Sequence, residues 1–485
     1  MTIDRRRRWI ALMVLCLGNL MMVLDTTIVN VALPSIRADL GFSATSLAWV
    51  VNAYLVTFGG FLLLAGRLGD LFGYRRLFLI GTALFTAASL ACGLATTQSF
   101  LIAARGIQGL AGAIVAAVAL SLMMSLFTEE ADRAKAMGVF GFTAAGGGSI
   151  GVLLGGVLTE ALDWHWIFLV NVPVGLVVVA LSLSLLPAAA GDRRGAPLDI
   201  GGAVTVTAAL MLAVYAIVNG NEAGWSSVPT LARLAAALAL LAAFLAIEAR
   251  SRSPLVPLRI FRLRNLSTAN LVGVLWAAAL FAWFFLSALY LQLVLGYSSL
   301  EVGLTFLPAN LIMGAFSLGL SAKLVLRFGI RRPLAIGLLL AACGLLLFAR
   351  APVDGSFIAD VLPSMILLGL GAGIAFNPLL LAAMSEVAPQ ESGLASGLVN
   401  TAFMMGGALG LAILASLAAA RSESLRASGE SLSAALTGGY HAAFLLGALF
   451  AIAAALLGAT LRRTTPAEAA AGGSFDLAAA PAERD

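Results

Sequence analysis

The segments GRLGDLFGYRR (Gly66–Arg76) and AKLVLRFGIRR (Ala322–Arg332) are two versions of one short pattern, placed far apart in the chain. Aligned without gaps, they share a leucine, a Phe-Gly pair and a closing Arg-Arg pair, and Arg67 stands opposite Lys323. Each follows an apolar stretch long enough to cross a membrane. Chance similarity between two basic loops is the alternative, but the shared Gly and Phe spacing favours a duplication, which is typical of secondary transporters.

The composition places the chain in a membrane. Of its 485 residues, 61% are hydrophobic and 11% are charged, whereas a soluble globular protein has about 25% charged residues. A soluble enzyme is therefore all but excluded. The net charge of +5 gives no reason to expect nucleic-acid binding, because charge in a membrane protein reports orientation.

Fourteen apolar segments have about the length that crosses a bilayer. The predicted spans are 9–31, 46–66, 77–95, 100–126, 136–160, 165–187, 199–219, 229–248, 268–294, 300–322, 333–349, 357–384, 393–418 and 440–461. With the N-terminus inside, most of the 29 Lys and Arg residues fall on the cytoplasmic side, as expected for a correct helix count. The sequence thus predicts an all-α polytopic protein of the cell (inner) membrane, with both termini cytoplasmic.

The duplication divides these spans into two six-helix bundles, 1–187 and 267–463, joined by a linker, 188–266, that carries two inserted helices. The tail 464–485 is rich in Ala, Pro and acidic residues and is predicted to be disordered. The basic N-terminus resembles a signal peptide, but no small-residue cleavage site follows, so a retained first helix is favoured. The cysteines have no metal-ligand spacing and are interpreted as packing residues, namely Cys16, Cys92 and Cys343.

The segment VLDTTIVNVALP, Val23–Pro34, places the carboxylate of Asp25 inside the first span. At about 1.5 Å per residue, Asp25 and Arg105 of the fourth span lie at similar depth in the outer part of the membrane. An unpaired charge there costs several kcal/mol, so we expect the two to face each other across a central cavity.

Two interpretations of this pair are open. It could be a static ion pair that fixes helix packing, or Asp25 could gain and lose a proton. Burial raises the pKa of a carboxyl group and a nearby arginine lowers it. If the hydration of Asp25 and its distance from Arg105 change during a transport cycle, Asp25 could take up a proton on one side of the membrane and release it on the other.

These motifs resemble the major facilitator superfamily and, within it, the fourteen-helix drug:proton antiporter branch of the EmrB/QacA type. GRLGDLFGYRR is similar to the loop signature of the superfamily. Segments similar to the branch are LDTTIVNVALP, LIAARGIQGLAG, WHWIFLVNVPVG, YLQLVLGYSSLEVGLTFLP and GLASGLVNT. The resemblance implies the major facilitator fold and a monomeric exporter of drug-like compounds in which the helix-1 Asp carries the proton.

The loop signature is expected to take part in conformational change. It contributes Gly66, Asp70, Gly73, Arg75 and Arg76. The two glycines suit a tight turn, and Asp70 could pair with an arginine or a helix N-terminus when the inner side is closed. The alternative is a basic loop that only anchors the topology.

The fifth span carries a stripe of glycines, Gly147, Gly151 and Gly155, with Gly156 beside it. Small residues four apart allow close helix approach, and simple tight packing is one interpretation. The resemblance implies instead the antiporter signature, in which a proline follows the middle glycine. Here Val152 takes that place, so a kink in this helix is an open question.

Family analogy places the substrate cavity among the first, fourth, ninth and twelfth spans. The polar and aromatic candidates there are Asn19, Gln108, Trp283, Phe284, Gln292, Phe376 and Asn377. Aromatic walls with few polar groups suit lipophilic or cationic compounds. No second carboxylate is apparent within a span, which weakens the case for divalent cations and for multi-proton coupling.

The leading hypothesis is a proton-coupled exporter of many organic compounds, and the second is a narrow exporter of one metabolite or self-made antibiotic. A membrane enzyme would need a catalytic constellation, but the chain has two His and no HExxH, GxSxG or P-loop context. A non-transporting sensor would have no need of a membrane charge pair. The expected partners are a small compound, protons and the bilayer, with no cofactor, metal or nucleic acid.

Overall fold

A computed structural model describes residues 4–127, 129–187, 198–251, 253–387 and 391–462. Within these ranges the regular structure is helical. The α-helices are α1 (Arg5–Leu40), α2 (Trp49–Phe72), α3 (Tyr74–Gly93), α4 (Gln98–Leu126), α5 (Glu130–Ala161), α6 (Trp166–Leu169), α7 (Asn171–Leu185), α8 (Ile200–Ala223), α9 (Val228–Arg250), α10 (Arg264–Leu293), α11 (Ser299–Ala315), α12 (Ser321–Phe328), α13 (Arg331–Phe348), α14 (Leu362–Met384), α15 (Ser392–Ala427) and α16 (Leu432–Gly458). The predicted tail lies outside the described residues.

The helices form because an apolar chain in lipid must satisfy its backbone hydrogen bonds within itself. Several helices that begin at the end of the molecule opposite the termini start with a polar cap. Thr97 accepts from Phe100 N at the start of α4, and Ser298 and Glu301 form a capping box on α11. The chain therefore turns through short polar connections and re-enters the apolar layer at once.

Among the residues that the structure describes, twelve helices are long and apolar enough to cross a membrane. The other two predicted spans, 136–160 and 300–322, fall on α5 and on α11 with α12, whose shorter apolar helices are Ile150–Ala161 and Ser299–Ala315. In the second of these, Gly319 has φ 118° within a π-helical turn, so the predicted span is not one straight helix. The structure is thus an all-helical protein of many membrane passes, and the count of fourteen stays a prediction.

The long helices pack in two groups. In the first, α1 packs on α5 and α7, and α4 packs on α2 and α3; in the second, α10 packs on α15 and α16, and α13 on α14 and α16. The groups meet where α5 lies against α11 and where α2 lies against α15. We call the groups the N-terminal and C-terminal bundles, although the exact domain boundaries predicted above remain predictions.

The helices α8 and α9 form a hairpin, which lies along the chain between the last helix of the N-terminal bundle and the first helix of the C-terminal bundle. Helix α8 lies against both α2 and α15, so it covers one seam between the bundles, while α9 packs mainly on α8. Asn221 Nδ2 fastens α8 to the C-terminal bundle by donating to the Ser416 carbonyl at 2.7 Å. The hairpin therefore touches both bundles at a contact that must change if they move.

The two repeated loop segments have matching structures. Gly73 ends α2 with φ 90° and Gly329 ends α12 with φ 74°, a backbone region that favours glycine. Arg75 Nη2 donates to the Leu183 carbonyl at 2.5 Å, and Arg331 donates to the Ala459 carbonyl. Both carbonyls lie at the end of the last helix of their bundle. Each loop arginine therefore joins the start of its own helix, α3 or α13, to the last helix of the same bundle.

One expectation for the first loop needs correction. Gly66 lies inside α2 rather than in a turn, and an added Cβ there would meet nothing within 4 Å. Asp70 Oδ1 accepts from the Tyr74 hydroxyl at 2.5 Å in this conformation, and its pairing with an arginine or a helix N-terminus when the inner side is closed stays a prediction. The turn is thus made by Gly73 alone, and Asp70 is held by the first residue of α3. The remaining loop residue, Arg76, is exposed.

Candidate functional site

The two charges that the sequence placed at similar depth are in direct contact. Arg105 Nη1 of α4 donates to Asp25 Oδ2 of α1 at 2.5 Å, and the two side chains are 1% and 0% exposed. The expectation that they face each other across a cavity is wrong, because neighbouring helices of the N-terminal bundle enclose both side chains. The pair therefore lies within one bundle.

Amide groups hold the other oxygen of Asp25. Gln108 Nε2 donates to Asp25 Oδ1 at 2.7 Å and to Ser89 Oγ of α3 at 2.8 Å. Asn171 Nδ2, in the first turn of α7, also points at Oδ1, at 3.4 Å. Because these amides are almost fully buried, the hydrogen bonds to the Asp25 carboxylate come from the protein and not from bulk water.

Arg105 has acceptors besides Asp25. Its Nε donates to the Val50 carbonyl of α2 at 2.9 Å, and its Nη1 donates to Gln108 Oε1 at 2.7 Å. The guanidinium lies 4.6 Å from the centroid of the Tyr54 ring and 5.5 Å from that of Phe168. The positive charge is therefore partly compensated even without the carboxylate.

Helix geometry brings these groups together. Arg105 and Gln108 are three residues apart on α4 and so lie on one face. A side chain on Gly109 would overlap the backbone of Tyr54, so glycine lets α4 approach α2 closely enough for Arg105 to reach the Val50 carbonyl. We call the set Asp25, Arg105, Gln108 and Asn171 the charge cluster.

The glycine stripe of α5 packs against the turn of α1 that carries Asp25. An added Cβ on Gly151 would overlap Thr27 Oγ1, and one on Gly155 would lie 2.7 Å from the Ile28 carbonyl. An added Cβ on Gly147 would likewise lie 2.8 Å from Val23 Cγ1. Helix α5 is continuous from Glu130 to Ala161 and passes through Val152, which stands in place of the proline.

Gly156 faces the other bundle. An added Cβ would lie 2.7 Å from the Ser299 carbonyl and 2.9 Å from Leu300 Cα, at the start of α11. The glycines of α5 therefore serve two contacts, one with α1 and one across the interface between the bundles.

The polar residues predicted to line the cavity have different surroundings. Gln108 belongs to the charge cluster and is 0% exposed, so its assignment to a cavity wall is corrected. Gln292 Nε2 donates to the Val31 carbonyl at 2.8 Å and thereby links α10 to α1 across the bundles. Asn19 and Asn377 are half-buried, and substrate contact by these residues stays a prediction.

The predicted aromatic residues fall into two clusters of the C-terminal bundle. Trp283 is fully buried, and its ring centroid lies 4.4 Å from that of Phe284, which stacks on Phe306 at 5.4 Å. Phe376 is 39% exposed and meets the edge of Phe403 at 6.0 Å. Of these, Phe376 is the ring with most surface available to a compound in this conformation.

A family comparison decides the class of this molecule. The model of the Major Facilitator Superfamily matches residues 15–411, which include the charge cluster and both loop segments. The chain belongs to the major facilitator superfamily. It is accordingly a membrane transporter and not an enzyme.

Relatives of this transporter include export proteins for antibiotics. It is 39% identical to a puromycin resistance protein of Streptomyces alboniger, over 94% of this chain and 90% of that protein. It is 40% identical to a cephamycin export protein of Amycolatopsis lactamdurans, over 94% of this chain and 93% of that protein.

Among solved structures, the fold is similar to a crystal structure of a mutant form of the nucleoside transporter NupG. The TM-score is 0.64, the sequence identity is 14%, and the match covers 93% of this chain and 99% of that one. At this identity the similarity shows a shared fold and carries nothing about the compound transported.

Three features of this transporter were missed at the level of sequence. Asn171 contacts Asp25 although it lies far along the chain, and only its place in WHWIFLVNVPVG could have drawn attention to it. Phe281 and Phe403 form a ring contact at 6.0 Å beside Phe376. Glu248, in the last turn of α9, is a second carboxylate that is 3% exposed, where none was expected within a span.

The groups around the Asp25 carboxylate are all hydrogen-bond donors. Within the described ranges no group of three or more His, Cys, Asp or Glu side chains is placed to hold a metal ion. Asp25 has one cationic and two amide neighbours, all donors. Such donors favour the ionised form of a carboxyl group.

Proposed function

We propose that this transporter is a proton-coupled exporter of organic compounds, of the fourteen-helix branch, in the inner membrane with both termini in the cytoplasm. The observation that carries the proposal is the fully buried Asp25–Arg105 pair, in which the arginine has two further acceptors. Any buried arginine needs acceptors for its N–H groups. The two acceptors here lie outside the ion pair, so Arg105 can stay charged and hydrogen-bonded when Asp25 is neutral.

The proposed cycle changes the charge of Asp25. In the conformation described here, the ionised carboxylate accepts from Arg105, Gln108 and Asn171. Protonation removes the ionic attraction between α1 and α4, while Arg105 keeps the Val50 carbonyl and Gln108 Oε1. Helix α1 can then move relative to α4, and the close contact of α1 with the α5 glycines passes that movement to the interface with α11.

The energy available from one proton is sufficient for export. A single charge moving inward across 100 mV releases about 2.3 kcal/mol. That corresponds to a gradient of roughly 50-fold for a neutral compound, at 1.36 kcal/mol for each factor of ten. A single coupling carboxylate is therefore enough for useful efflux.

The proposed substrates are lipophilic or cationic antibiotic-like compounds. The names of the puromycin and cephamycin relatives support antibiotic export. The aromatic rings around Phe376 and Phe403 support the lipophilic or cationic class. Since these relatives are each named for one antibiotic, a narrow exporter of a single compound is the second candidate. We propose a monomer, because each chain carries its own charge cluster and both bundles.

Transport by reconstituted protein tests the proposal. Liposomes with an imposed pH gradient are mixed with a panel of antibiotics and lipophilic cations, and movement of each compound is measured for the unaltered protein and for Asp25→Asn. We expect gradient-driven movement of at least one compound, and a loss of tenfold or more in the variant, because Asn holds no exchangeable proton.

Glu248→Gln is the matched control, since it also neutralises a buried carboxylate but lies in the α8–α9 hairpin. It should transport at nearly the unaltered rate. Gradient-driven transport that persists in Asp25→Asn would overturn the coupling role of Asp25. If the rate of transport by the unaltered protein does not depend on the pH gradient, the proposal of proton antiport is wrong.

A further inference from the structure

A cavity of about 240 Å³ lies at the end of the molecule opposite the termini, away from the charge cluster. The α1–α2 connection, α8, α10, α15 and α16 contribute its walls, so both bundles and the inserted hairpin meet around it. Drug-sized compounds occupy pockets of about 300–1,000 Å³. This space therefore suits a small molecule or one end of a longer one.

One wall of the cavity is apolar. Phe285, Leu286 and Leu289 of α10 form it, together with alanines of α15. All three α10 side chains are almost completely covered by protein. The apolar surface that an occupant removes from water is therefore mostly its own, at about 25 cal/mol per Å².

Two polar groups without partners among the described residues also line the cavity. Arg37, in the last turn of α1, is half-buried, and its guanidinium makes no ion pair or hydrogen bond with any residue that the structure describes. Tyr440 of α16 is 4% exposed, yet its hydroxyl reaches open space and has no hydrogen-bond partner within the described ranges. A guanidinium and a phenol together can donate several hydrogen bonds to one anion.

The remaining charges lie at the rim. Glu423 and Arg426 are both exposed and are three residues apart on α15, so their charges largely offset each other in solvent. The half-buried Arg37 is thus the charge that faces an occupant, and a partly buried cation without a counter-ion favours an anionic ligand.

We propose that this cavity is a second binding site, distinct from the proton site, for a single-chain anionic amphiphile. A phosphate or carboxylate head accepts hydrogen bonds from Arg37 and Tyr440, and the first part of the alkyl chain lies on the α10 wall. Because the lining comes from both bundles and the hairpin, an occupant stabilises the conformation described here relative to one in which the bundles have separated at this end.

The inference can be tested by binding alone, so it does not depend on proton-coupled export. Decyl phosphate and decyltrimethylammonium, which share a chain and differ in charge, are titrated into the purified full chain in detergent. Bound molecules are counted by native mass spectrometry. We expect one decyl phosphate per chain, bound at least tenfold more tightly than the cation.

Variants assign the site. Arg37→Gln should weaken decyl phosphate binding by about tenfold or more, Arg37→Lys by less, and Tyr440→Phe by a smaller factor, since a hydrogen bond to a charged group is lost in each. Arg421→Gln is the matched control, because Arg421 is an exposed arginine of α15 that does not line the cavity. It should bind as the unaltered protein does.

Equal affinity of Arg37→Gln and the unaltered protein for decyl phosphate would overturn the assignment, and so would equal binding of the cation. Competition then distinguishes the source of the ligand. Displacement by phosphatidylglycerol but not phosphatidylcholine identifies a lipid headgroup as the natural occupant. Failure of both lipids to displace decyl phosphate identifies a free anionic compound, and either result supports the site.

Discussion

At the scale of single residues, the charge cluster explains how a carboxylate can be stable in an apolar layer. Asp25 accepts from one guanidinium and two amides, and Arg105 is shared among Asp25, the Val50 carbonyl and Gln108. Each charge is hydrogen-bonded, which is the condition under which a buried ion pair is tolerated. Neutralising one member leaves the other charge buried and disfavours this packing.

This imbalance predicts a non-additive stability effect. Asp25→Asn should lower the free energy of unfolding by about 3 kcal/mol, the lower end for a broken buried pair, because Arg105 keeps the Val50 carbonyl. The double variant Asp25→Asn/Arg105→Gln should be more stable than the single one, since no unpaired charge remains. Thermal unfolding in detergent measures both. A double variant less stable than the single one would contradict this description of the pair.

At the scale of elements, the contact between α1 and α5 is the closest link between the charge cluster and the bundle interface. Gly151 and Gly155 let α5 lie against the backbone of Leu24 and Ile28, which stand one residue before and three residues after Asp25. Gly156, beside them, touches the start of α11. A displacement of α1 therefore cannot occur without a response of α5.

A single methyl group tests this contact. Gly151→Ala places a Cβ on Thr27 Oγ1, so α5 must move away from α1 or Thr27 must change rotamer. We expect a loss of about 1–3 kcal/mol in stability, as for overpacking elsewhere, and slower transport. Gly148→Ala is the matched control, because its Cβ would meet nothing within 4 Å. Equal behaviour of the two variants in thermal unfolding would contradict the proposed role of the stripe.

The sequence allowed good predictions where periodicity or depth along a helix carries the information. Helix depth was enough to pair Asp25 with Arg105, and the loop signature predicted the turn at Gly73. Depth says nothing about the direction in which a helix face points. Gln108 was therefore assigned to a cavity, although its spacing of three from Arg105 placed it on the same face as the pair.

Other features could not be predicted because they depend on contacts between distant segments. Asn171 reaches Asp25 only because α7 packs on α1, and no local pattern indicates this. Gly66 was expected in a turn, but α2 continues to Phe72 since one glycine inside a helix costs only about 1 kcal/mol. The burial of Glu248 likewise follows from the hairpin, where its side chain accepts from Val256 N at 3.0 Å.

At the scale of the whole molecule, the two bundles are in close contact at the end opposite the termini. The start of α11 lies on α5 at Gly156, and Gln292 of α10 donates to the Val31 carbonyl of α1. Alternating access in this superfamily requires such a contact to open, because the bundles move against each other around a fixed site. The conformation described here is therefore one that must change during transport.

A reversible cross-link tests this requirement. An added Cβ on Gly303 would lie 3.4 Å from Leu153 Cα, across the α5–α11 contact, so Leu153→Cys and Gly303→Cys are placed for a disulfide. In a background with the exposed Cys343 replaced by Ser, oxidation should reduce transport about tenfold, and reductant should restore it. Each single-cysteine variant is the control. Full transport by the oxidised double variant would exclude opening at this contact.

Proton release by the purified protein tests most directly whether Asp25 exchanges a proton for a compound. Protein in weakly buffered detergent solution with a pH indicator receives a saturating amount of the compound that is transported fastest in liposomes. We predict release of about one proton per chain from the unaltered protein, and none from Asp25→Asn, because Asn has no titrating proton in this range. Release of the same number of protons by Asp25→Asn would contradict the account and leave Asp25 with a purely structural role.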